Sequence, residues 1–324
     1  MKPSIAFIGL GVMGHRMLTN MSAHGGFNLA AAWDPNEDAC RMAAEQYPDI
    51  KIGETALQII TDPDIDVVYI ASPPQSHKEY ATAAAQAGKV VFCEKPLGVD
   101  IPDSRSLVEE VEATGVQNAV NFPFADSLAI NTIQQQVQDG STGDILGVDL
   151  RLHFSSWPRG WQHSASWLSM RKEGGFVREV GSHYVYLVEK LFGPATFVDA
   201  LVRYPDDTTS CETHFHAQLD CNGLPVSFAG GAGGVGPDRV EFTVWGSKTS
   251  YRLWDWMNLK SSTGGEWQDE LPGTDDLRQD GYKRVLNNLL CMINGEKHSM
   301  PPLRAALSVQ EIIEEILQKL PMKS

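Results

Sequence analysis

Short apolar runs alternate with amphipathic stretches over the first 121 residues of the chain. The runs predict strands, and the stretches between them predict helices. Continuous apolar strands separated by helices indicate a parallel sheet that is covered on both faces. The predicted strands are Ile5–Ile8, Leu29–Trp33, Val67–Ala71, Val90–Cys93 and Gln117–Val120, and the predicted helices are His15–Ser22, Asn36–Gln46, Ser76–Ala87 and Pro102–Thr114.

After Phe122 the pattern changes to strand-like runs separated by turn residues, which predicts a mostly antiparallel sheet. We therefore predict a Rossmann domain, doubly wound and parallel, over residues 1–121, followed by an α+β domain with an open sheet over residues 122–324. The last helix, about 304–320, is expected to pack back on the first domain. The predicted elements are helices Ser127–Gln138, Ser182–Leu191, Asp276–Asn294 and Arg304–Leu320, strands Val148–Ser155, Phe197–Arg203, Glu212–Leu219, Pro225–Ala229, Val240–Trp245 and Ser250–Trp254, and a glycine-rich loop at Gly230–Gly236.

Three glycines directly follow the first predicted strand. Gly9 permits a tight turn, Gly11 allows the backbone to approach a pyrophosphate, and Gly14 lets the next helix pack on its strand. The pyrophosphate would lie at the helix N-terminus, near the backbone of Val12 and Met13. Asp34 ends the second strand, twenty residues after Gly14, where a carboxylate accepts hydrogen bonds from ribose hydroxyls. The spacing predicts a dinucleotide site.

The bulk composition is that of an ordinary globular protein, with 42% hydrophobic and 21% charged residues in 324. The net charge of −15 and the lack of a basic cluster argue against a nucleic-acid partner. No apolar run has the length of a membrane span, and the first strand starts too early for a signal peptide. Five cysteines without a C-x-x-C pair indicate reduced thiols. We expect a cytoplasmic protein.

Four stretches together resemble the glucose–fructose oxidoreductase / inositol dehydrogenase (Gfo/Idh/MocA) family. They are the glycine motif, Ala71-Ser-Pro-Pro-Gln-Ser-His77, the triplet Glu94-Lys95-Pro96, and Gly174-Gly-Phe-Val-Arg-Glu-Val-Gly-Ser-His183. The ending Trp245-Gly-Ser-Lys-Thr-Ser-Tyr-Arg-Leu253 is also similar to the last sheet strands of that family. The resemblance covers nearly the whole chain in the expected order.

The resemblance implies a role for each matching residue. Lys95 would contact both substrate and nicotinamide ribose, and Lys95–Pro96 would be a cis peptide. His183 would lie near the reacting oxygen of the substrate. The family usually has aspartate four positions before this histidine and often three after it, where this chain has Glu179 and Tyr186. The implied cofactor contacts are Gly9, Gly11, Val12, Met13, Gly14, Asp34, Ser72, Pro73, His77, Glu94, Lys95 and Pro96.

Hydride transfer between an alcohol carbon and nicotinamide needs a proton acceptor close to the hydroxyl. His183 suits that role because imidazole titrates near neutral pH, with Glu179 to orient it. Lys95 would stabilise the developing charge on oxygen. Asp34 has no basic neighbour before Arg41, which favours NAD over NADP, although Arg16 leaves NADP open. His77 either contacts the cofactor or lines its turn.

A cluster of tryptophans and polar residues follows the strand at Val148–Ser155. Tryptophans suit stacking on a sugar, although they also suit a loop packed on the sheet, and the two arginines Arg159 and Arg171 suit a carboxylate-bearing substrate. Glu212, His214 and His216 alternate along one predicted strand, but no further good ligand is evident near them and we predict no metal. The predicted substrate residues are Lys95, Trp161, His163, Trp167, Arg171, Glu179 and His183.

The leading hypothesis is an NAD(P)-dependent oxidoreductase acting on a hydroxyl or carbonyl of a sugar, cyclitol or related small molecule. The alternative is a catalytically silent regulator that binds a dinucleotide or sugar. A third hypothesis, a β-hydroxyacid dehydrogenase, shares the first motif but needs an all-helical second domain. We also expect a homodimer or homotetramer, because the outer face of the open sheet needs cover.

Overall fold

The chain divides into two compact units. The structure is a computed structural model that describes residues 1–162, 165–271, 273 and 276–319. The first unit comprises residues 1–126 and 282–308, and the second comprises residues 127–281 and those from 309 onward. The sequence predicts a boundary at residue 121 with all later residues in the second domain. The segment 282–308 belongs instead to the first unit, because its apolar side chains, such as Val285 and Leu289, join the core around Phe7.

In the described ranges, the first unit has a six-stranded sheet in the order β3-β2-β1-β4-β5-β6, with every pairing parallel. This is the doubly wound order of a Rossmann fold, so the predicted fold class is confirmed. Its elements are β1 (Ser4–Ile8), α1 (Val12–His24), β2 (Asn28–Trp33), α2 (Glu37–Gln46), β3 (Lys51–Ile52), α3 (Ala56–Ile60), β4 (Val67–Ile70), α4 (His77–Gln86), β5 (Val90–Cys93), α5 (Ile101–Thr114) and β6 (Asn118–Val120).

Side-chain burial explains why these strands form the centre of the first unit. Phe7, Tyr69 and Phe92 on adjacent strands are fully buried and their rings are in contact. Apolar burial on both faces of a parallel sheet is the main stabilising contribution here. The helices are ended by local signals. Asp100 accepts the Asp103 N–H at the start of α5, and Gly115 ends it in the left-handed conformation.

The second unit is built on an eight-stranded sheet within the described residues, in the order β14-β13-β12-β11-β7-β10-β9-β8. Only the β7–β10 pairing is parallel among the described pairings, so the prediction of a mostly antiparallel sheet is confirmed. The elements are α6 (Leu128–Gln138), β7 (Ile145–Phe154), α7 (Ser182–Phe192), β8 (Thr196–Arg203), β9 (His214–Cys221), β10 (Leu224–Ala232), β11 (Arg239–Gly246), β12 (Ser250–Trp254), β13 (Asn258–Ser262) and β14 (Gln268–Asp269). Helices α8 (Leu277–Ile293) and α9 (Leu303–Gln318) follow.

The predicted loop at Gly230–Gly236 is partly wrong, because β10 continues to Ala232. Gly230 and Gly231 are strand residues whose missing side chains make room for neighbours. A Cβ at Gly230 would lie 2.6 Å from the Phe215 ring, and one at Gly231 would lie 2.7 Å from the His214 ring. Glycine within a strand here marks close packing rather than a turn.

Two further observations concern the chain as a whole. The five cysteines form no disulfide, and four of them are buried. None of the helices in the described part of the chain has the length and apolar character of a bilayer span.

Candidate active site

The glycine motif forms the turn from β1 into α1. Gly9 has φ +102°, and a Cβ there would lie 2.6 Å from the backbone of Ala71 and Ser72. A Cβ at Gly14 would collide with the carbonyl oxygen of Gly9. Both glycines are therefore required by the protein's own packing.

Gly11 differs from these two glycines. It has the ordinary φ of −66°, and a Cβ built on it meets nothing within 4 Å. The protein itself gives no steric reason for glycine there, whereas a ligand approaching the backbone would give one. Gly11 also caps α1 without a side-chain hydrogen bond, and the first turn of α1 has no acidic residue. These features fit the pyrophosphate of a dinucleotide at the helix N-terminus.

Asp34 connects the end of β2 to the glycine turn. Its Oδ2 accepts the Leu10 N–H at 2.7 Å, and its Oδ1 accepts the Asn36 N–H at 2.8 Å. Each carboxylate oxygen can accept a second hydrogen bond, so both retain the capacity to accept from ribose hydroxyls. Arg41, the first basic residue after Asp34, forms an exposed ion pair with Asp38. Arg16 contacts the Met13 sulfur at 3.7 Å.

His77 holds two turns of the first unit together. The ring is 1% exposed, with Nε2 2.8 Å from the Ser72 carbonyl oxygen and Nδ1 3.3 Å from that of Leu97. Burial lowers the pKa of His77 below its usual value. Of the two interpretations of His77, the geometry supports the one in which it lines the turn. The Ser72 hydroxyl oxygen also accepts a hydrogen bond from the Ser76 hydroxyl at 2.8 Å. Pro73 lies on the surface, directly before the short helical turn Pro74–Ser76.

Glu94 anchors the triplet that follows β5. Its Oε1 accepts the Tyr69 hydroxyl at 2.5 Å and the Asn121 amide at 2.7 Å. Burial, and then the charge of Glu94, raise the pKa of Tyr69 well above its usual value, so this tyrosine stays a donor. The next peptide, Lys95–Pro96, is cis, which confirms that prediction. Lys95 is half-buried beside this anchored residue.

In the second unit, Gln162 links two charged side chains. Its amide oxygen accepts the backbone N–H and the Nε–H of Arg159 at 3.2 and 3.0 Å. Its amide nitrogen donates to Glu179 Oε1 at 3.3 Å. Gln162 is buried, so this chain of hydrogen bonds fixes both partners.

Arg159 lies among aromatic rings. Its guanidinium carbon is 4.9 Å from the centroid of Trp161 and 5.4 Å from that of Trp256. Phe154 and Trp157 are at 5.4 and 5.6 Å. The cluster combines flat apolar faces with a planar cation, which suits a polar ring that carries a negative group.

Trp256 connects this cluster to His183. The ring lies 6.1 Å from the His183 ring in an edge-on arrangement and 6.3 Å from Tyr184. It is placed by the β12–β13 hairpin, in which Asp255 and Trp256 have φ +45° and +72°. Positive φ is costly for bulky residues, and such strain clusters at functional sites.

The segment that carries Glu179 and His183 is a π-helical turn, Val177–Gly181, leading into α7. The Ser182 hydroxyl donates to the Arg178 carbonyl oxygen at 2.6 Å across this turn. His183 is buried and Glu179 is half-buried. π-turns are frequent at functional sites. Tyr186 is also buried, and burial raises its pKa well above the usual value, so its hydroxyl keeps its proton and this position carries no negative charge.

The other predicted substrate residues have separate surroundings. Trp161 is 49% exposed, and Trp167 lies half-buried on the short turn Ser166–Ser169. Arg171 stacks on the Tyr204 ring at 3.9 Å and donates to two backbone carbonyl groups of the segment 207–210. It lines a cavity of about 860 Å³ with Arg178 and Tyr204, whereas Glu179 is hydrogen-bonded to Gln162, which also binds Arg159. His163 lies outside the described residues.

The prediction that Glu212 lies on the same strand face as His214 and His216 is wrong. β9 begins at His214, so Glu212 precedes the strand and its side chain is buried, whereas both histidines are exposed. Among the described residues, no group of three suitable side chains has metal-binding geometry.

Two contributors to the cluster were missed from the sequence. Gln162 has no motif of its own, and Trp256 lies about a hundred residues later in the chain. The only sequence signal for Trp256 is the unusual Trp254-Asp-Trp256 run at the end of the predicted strand Ser250–Trp254. Of the two arginines in this segment of the sequence, Arg159 rather than Arg171 contacts Gln162.

The fold and the glycine turn define a dinucleotide-binding Rossmann unit joined to an α+β unit. Residues 4–122 match the Gfo/Idh/MocA oxidoreductase family's NAD-binding Rossmann fold, and residues 134–321 match its C-terminal α/β domain. The chain belongs to this family. The third hypothesis, with an all-helical second domain, is excluded by the eight-stranded sheet.

Named relatives act on cyclitols and sugars. An inositol 2-dehydrogenase of Gluconacetobacter diazotrophicus is 35% identical over 149 residues, which is 44% of each chain. A levoglucosan dehydrogenase of Pseudarthrobacter phenanthrenivorans is 30% identical over 146 residues, 44% of this chain and 37% of that one. The matched segments thus span less than half the length of these relatives.

Solved structures share the fold over nearly the full chain. A WlbA dehydrogenase from Bordetella pertussis, in complex with NADH and UDP-GlcNAcA, has a TM-score of 0.83 at 20% identity and full coverage of both chains. An Agrobacterium radiobacter oxidoreductase with NAD⁺, L-tartaric acid and magnesium also has a TM-score of 0.83, at 16% identity over 97% of this chain and 95% of that one. These likenesses show the fold alone.

Proposed function

We propose that the protein is an NAD-dependent dehydrogenase that acts on a CH–OH group of a cyclitol, sugar or sugar acid. The observation that carries the proposal is Gly11, a glycine without a steric reason inside the protein, at the uncapped start of α1. Membership of the family and the relatives' names support the reaction class.

The cofactor would be held by the carboxyl ends of the strands of the first unit. The backbone of residues 11–14 would bind the pyrophosphate, and Asp34 would accept from the adenosine ribose. Ser72, Pro73 and the triplet after β5 would line the nicotinamide half. We propose NAD over NADP, because Asp34 would repel a ribose phosphate and Arg41 is already paired with Asp38.

Nicotinamide, when bound, accepts the hydride from the carbinol carbon. We propose that the chain's own residues manage the proton and the charge on oxygen. His183 takes the hydroxyl proton, and Glu179, held by Gln162, orients and stabilises the resulting imidazolium. Lys95 stabilises negative charge on the substrate oxygen.

The Arg159 cluster would set substrate preference. Trp161 and Trp256 offer ring faces for the apolar side of a sugar or cyclitol, and Arg159 lies against both of them. We propose that Arg159 and these two tryptophans bind the substrate, and that Arg171 does not. A substrate with a carboxylate would gain a charge-assisted contact with Arg159.

A panel of cyclitols, sugars and sugar acids, assayed at 340 nm with NAD and with NADP, tests this function. We expect reduction of NAD by at least one cyclitol or sugar acid, at a higher rate than with NADP at equal concentration. A panel without any absorbance change, in a preparation that binds NADH, would contradict the dehydrogenase proposal.

That second outcome would support the alternative, a silent binding protein of the same fold. The observation that favours it is the pair of departures at positions 179 and 186, where glutamate and a buried tyrosine replace the family's aspartates. The presence of Lys95 and His183 argues for turnover.

We further propose a cytoplasmic homo-oligomer. The outer face of the second sheet carries Trp245 and Trp254, each 39% exposed, on the adjacent strands β11 and β12, and a second copy of the chain would cover both rings. Light scattering after size exclusion should give a dimer or tetramer. The double change Trp245→Glu and Trp254→Glu should give a monomer, and an unchanged mass would exclude this face.

A further inference from the structure

Glu212 is a buried carboxylate that the proposed reaction does not use. It precedes β9 and is 2% exposed. Its Oε1 accepts the Val177 N–H at 2.8 Å, at the first residue of the π-turn. Its Oε2 has no hydrogen-bond partner among the residues that the structure describes. A buried polar atom without a partner is costly, so its presence calls for a functional reason.

The carboxylate also shapes the backbone before the π-turn. Gly175 has φ +98°, and a Cβ on it would collide with both oxygens of Glu212. The carbonyl oxygen of Gly175 accepts the Glu179 N–H at 3.0 Å. Glu212 thus makes two contacts that hold the π-turn. It accepts the N–H of Val177, the first residue of the turn, and it packs against Gly175, whose carbonyl oxygen accepts the Glu179 N–H.

The surroundings of Glu212 place its ionisation near neutral pH. Burial raises its pKa to about 7, while the Val177 N–H and the Arg178 guanidinium oppose this shift. Arg178 is itself bound to Glu314 at 2.6 Å, and the charge of Glu314 raises the pKa of Glu212 further. The titratable and charged groups that interact with Glu212 are Arg178 on the turn, Glu314 on α9, Tyr204 after β8 and the neighbouring Cys211.

We propose that Glu212 is a positioning residue for the turn that carries Glu179 and His183, and that its protonation loosens this turn. The inference rests on the proposed function, in which those two residues serve turnover. The ionised carboxylate makes a charge-assisted hydrogen bond to Val177, and the neutral acid makes a weaker one. The turn is therefore held most firmly above neutral pH.

The variant Glu212→Gln tests this role, because glutamine keeps the acceptor and the shape but does not ionise. We expect kcat at pH 8 to fall about fivefold, the difference between a charged and a neutral hydrogen bond. Both proteins keep the proton acceptor His183, so the ratio of wild-type to variant kcat is the readout, and it should fall from about five at pH 8 towards one below about pH 7. The Kd for NADH should be unchanged. Superimposable kcat profiles would overturn the positioning role.

Two readouts do not depend on activity. The folded pKa of Glu212 lies above its usual value, so the folded state binds more protons between about pH 4.5 and 7. The free energy of unfolding of the wild type should therefore fall with rising pH in this window, relative to Glu212→Gln. Amide hydrogen exchange over residues 177–183 should be faster in the variant at pH 8. Equal slopes and equal exchange would overturn the proposal even if no substrate is found.

A matched control and a second variant complete the test. Glu241→Gln removes a partly buried carboxylate of the same unit, paired with Arg239 and Arg252, and should change neither the slope nor the exchange. If Glu212→Gln does not fold, Glu212→Asp retains a titratable group that is too short to reach Val177. It should keep the pH slope and lose the protection of residues 177–183, and retained protection would contradict the proposal.

Discussion

The two units organise their chemistry in different ways. In the first, the predicted site residues follow strand ends, and backbone geometry defines most of them, as at Gly9, Gly11 and Lys95–Pro96. In the second, a cluster of side chains is assembled from a loop, a π-turn and a distant hairpin. The first arrangement suits a constant ligand such as a dinucleotide. The second can change with each side chain, which suits the proposed substrate site, since the named relatives are dehydrogenases of inositol and of levoglucosan.

Among the substitutions that test this comparison, the one at Lys95 is expected to have the largest effect on turnover. Lys95→Met should lower kcat about a thousandfold, because the charge on the reacting oxygen loses its stabilising cation. Binding of NADH, followed by fluorescence, should change less than about tenfold. Lys78→Met, which removes an exposed lysine paired with Asp103, is the control and should leave kcat unchanged. Near-normal turnover of Lys95→Met would remove this residue from the mechanism.

The next largest effects are expected for alanine substitutions of two glycines in the first unit, which should alter NADH binding or stability. Gly11→Ala should keep the stability of the protein within about 0.5 kcal/mol and weaken NADH binding at least about tenfold, because its Cβ enters only the space assigned to the pyrophosphate. Gly14→Ala should destabilise the fold by roughly 1–3 kcal/mol through the collision with Gly9. Urea unfolding and NADH titration of both variants separate the two roles. Equal NADH affinity of Gly11→Ala and wild type would place the cofactor elsewhere.

In the second unit, a side-chain change should alter substrate use alone. Arg159→Gln should raise the KM for a sugar acid about tenfold while the Kd for NADH stays constant, because only the charge-assisted contact is lost. Lys172→Gln, which changes an exposed basic residue of the same unit, should change neither quantity. A weakened NADH affinity in Arg159→Gln would contradict the claim that the first unit binds the cofactor and the second unit selects the substrate.

The smallest effect concerns pH and again contrasts the two units. Burial lowers the pKa of His77, so the unfolded state binds more protons as the pH falls through the usual range near 6.5. The free energy of unfolding should decrease on acidification, by at most about 1.4 kcal/mol per pH unit, and His77→Gln should remove this slope. The sign is opposite to that expected for Glu212. Identical slopes in His77→Gln and wild type would contradict the buried, neutral histidine.

The first unit was the more predictable of the two because its signals are local. A strand, three spaced glycines and an acidic residue at the next strand end lie within 34 residues, and each has a backbone reason. What escaped prediction there was the segment 282–308, whose membership of the first core depends on tertiary packing. The short elements β3 and α3 also escaped, because a few residues carry no clear period.

The second unit was predictable as a sheet but not as a site. Alternating burial along β9 and β11 is visible in the sequence, whereas the contacts of Gln162 and Trp256 depend on where loops fold. The sequence predicts a loop at Gly230 and Gly231, which are strand residues, because glycine in a strand has the same composition signal as glycine in a turn. The stacking of Arg171 on Tyr204 likewise has no sequence signal.

The most direct test of the central claim is to follow the hydride itself. The most active alcohol of the panel, deuterated at its carbinol carbon, would be oxidised with unlabelled NAD, and the nicotinamide product analysed by mass spectrometry. Direct transfer predicts one deuterium per NADH formed. Unlabelled NADH, with the deuterium released to water, would contradict the proposed reaction.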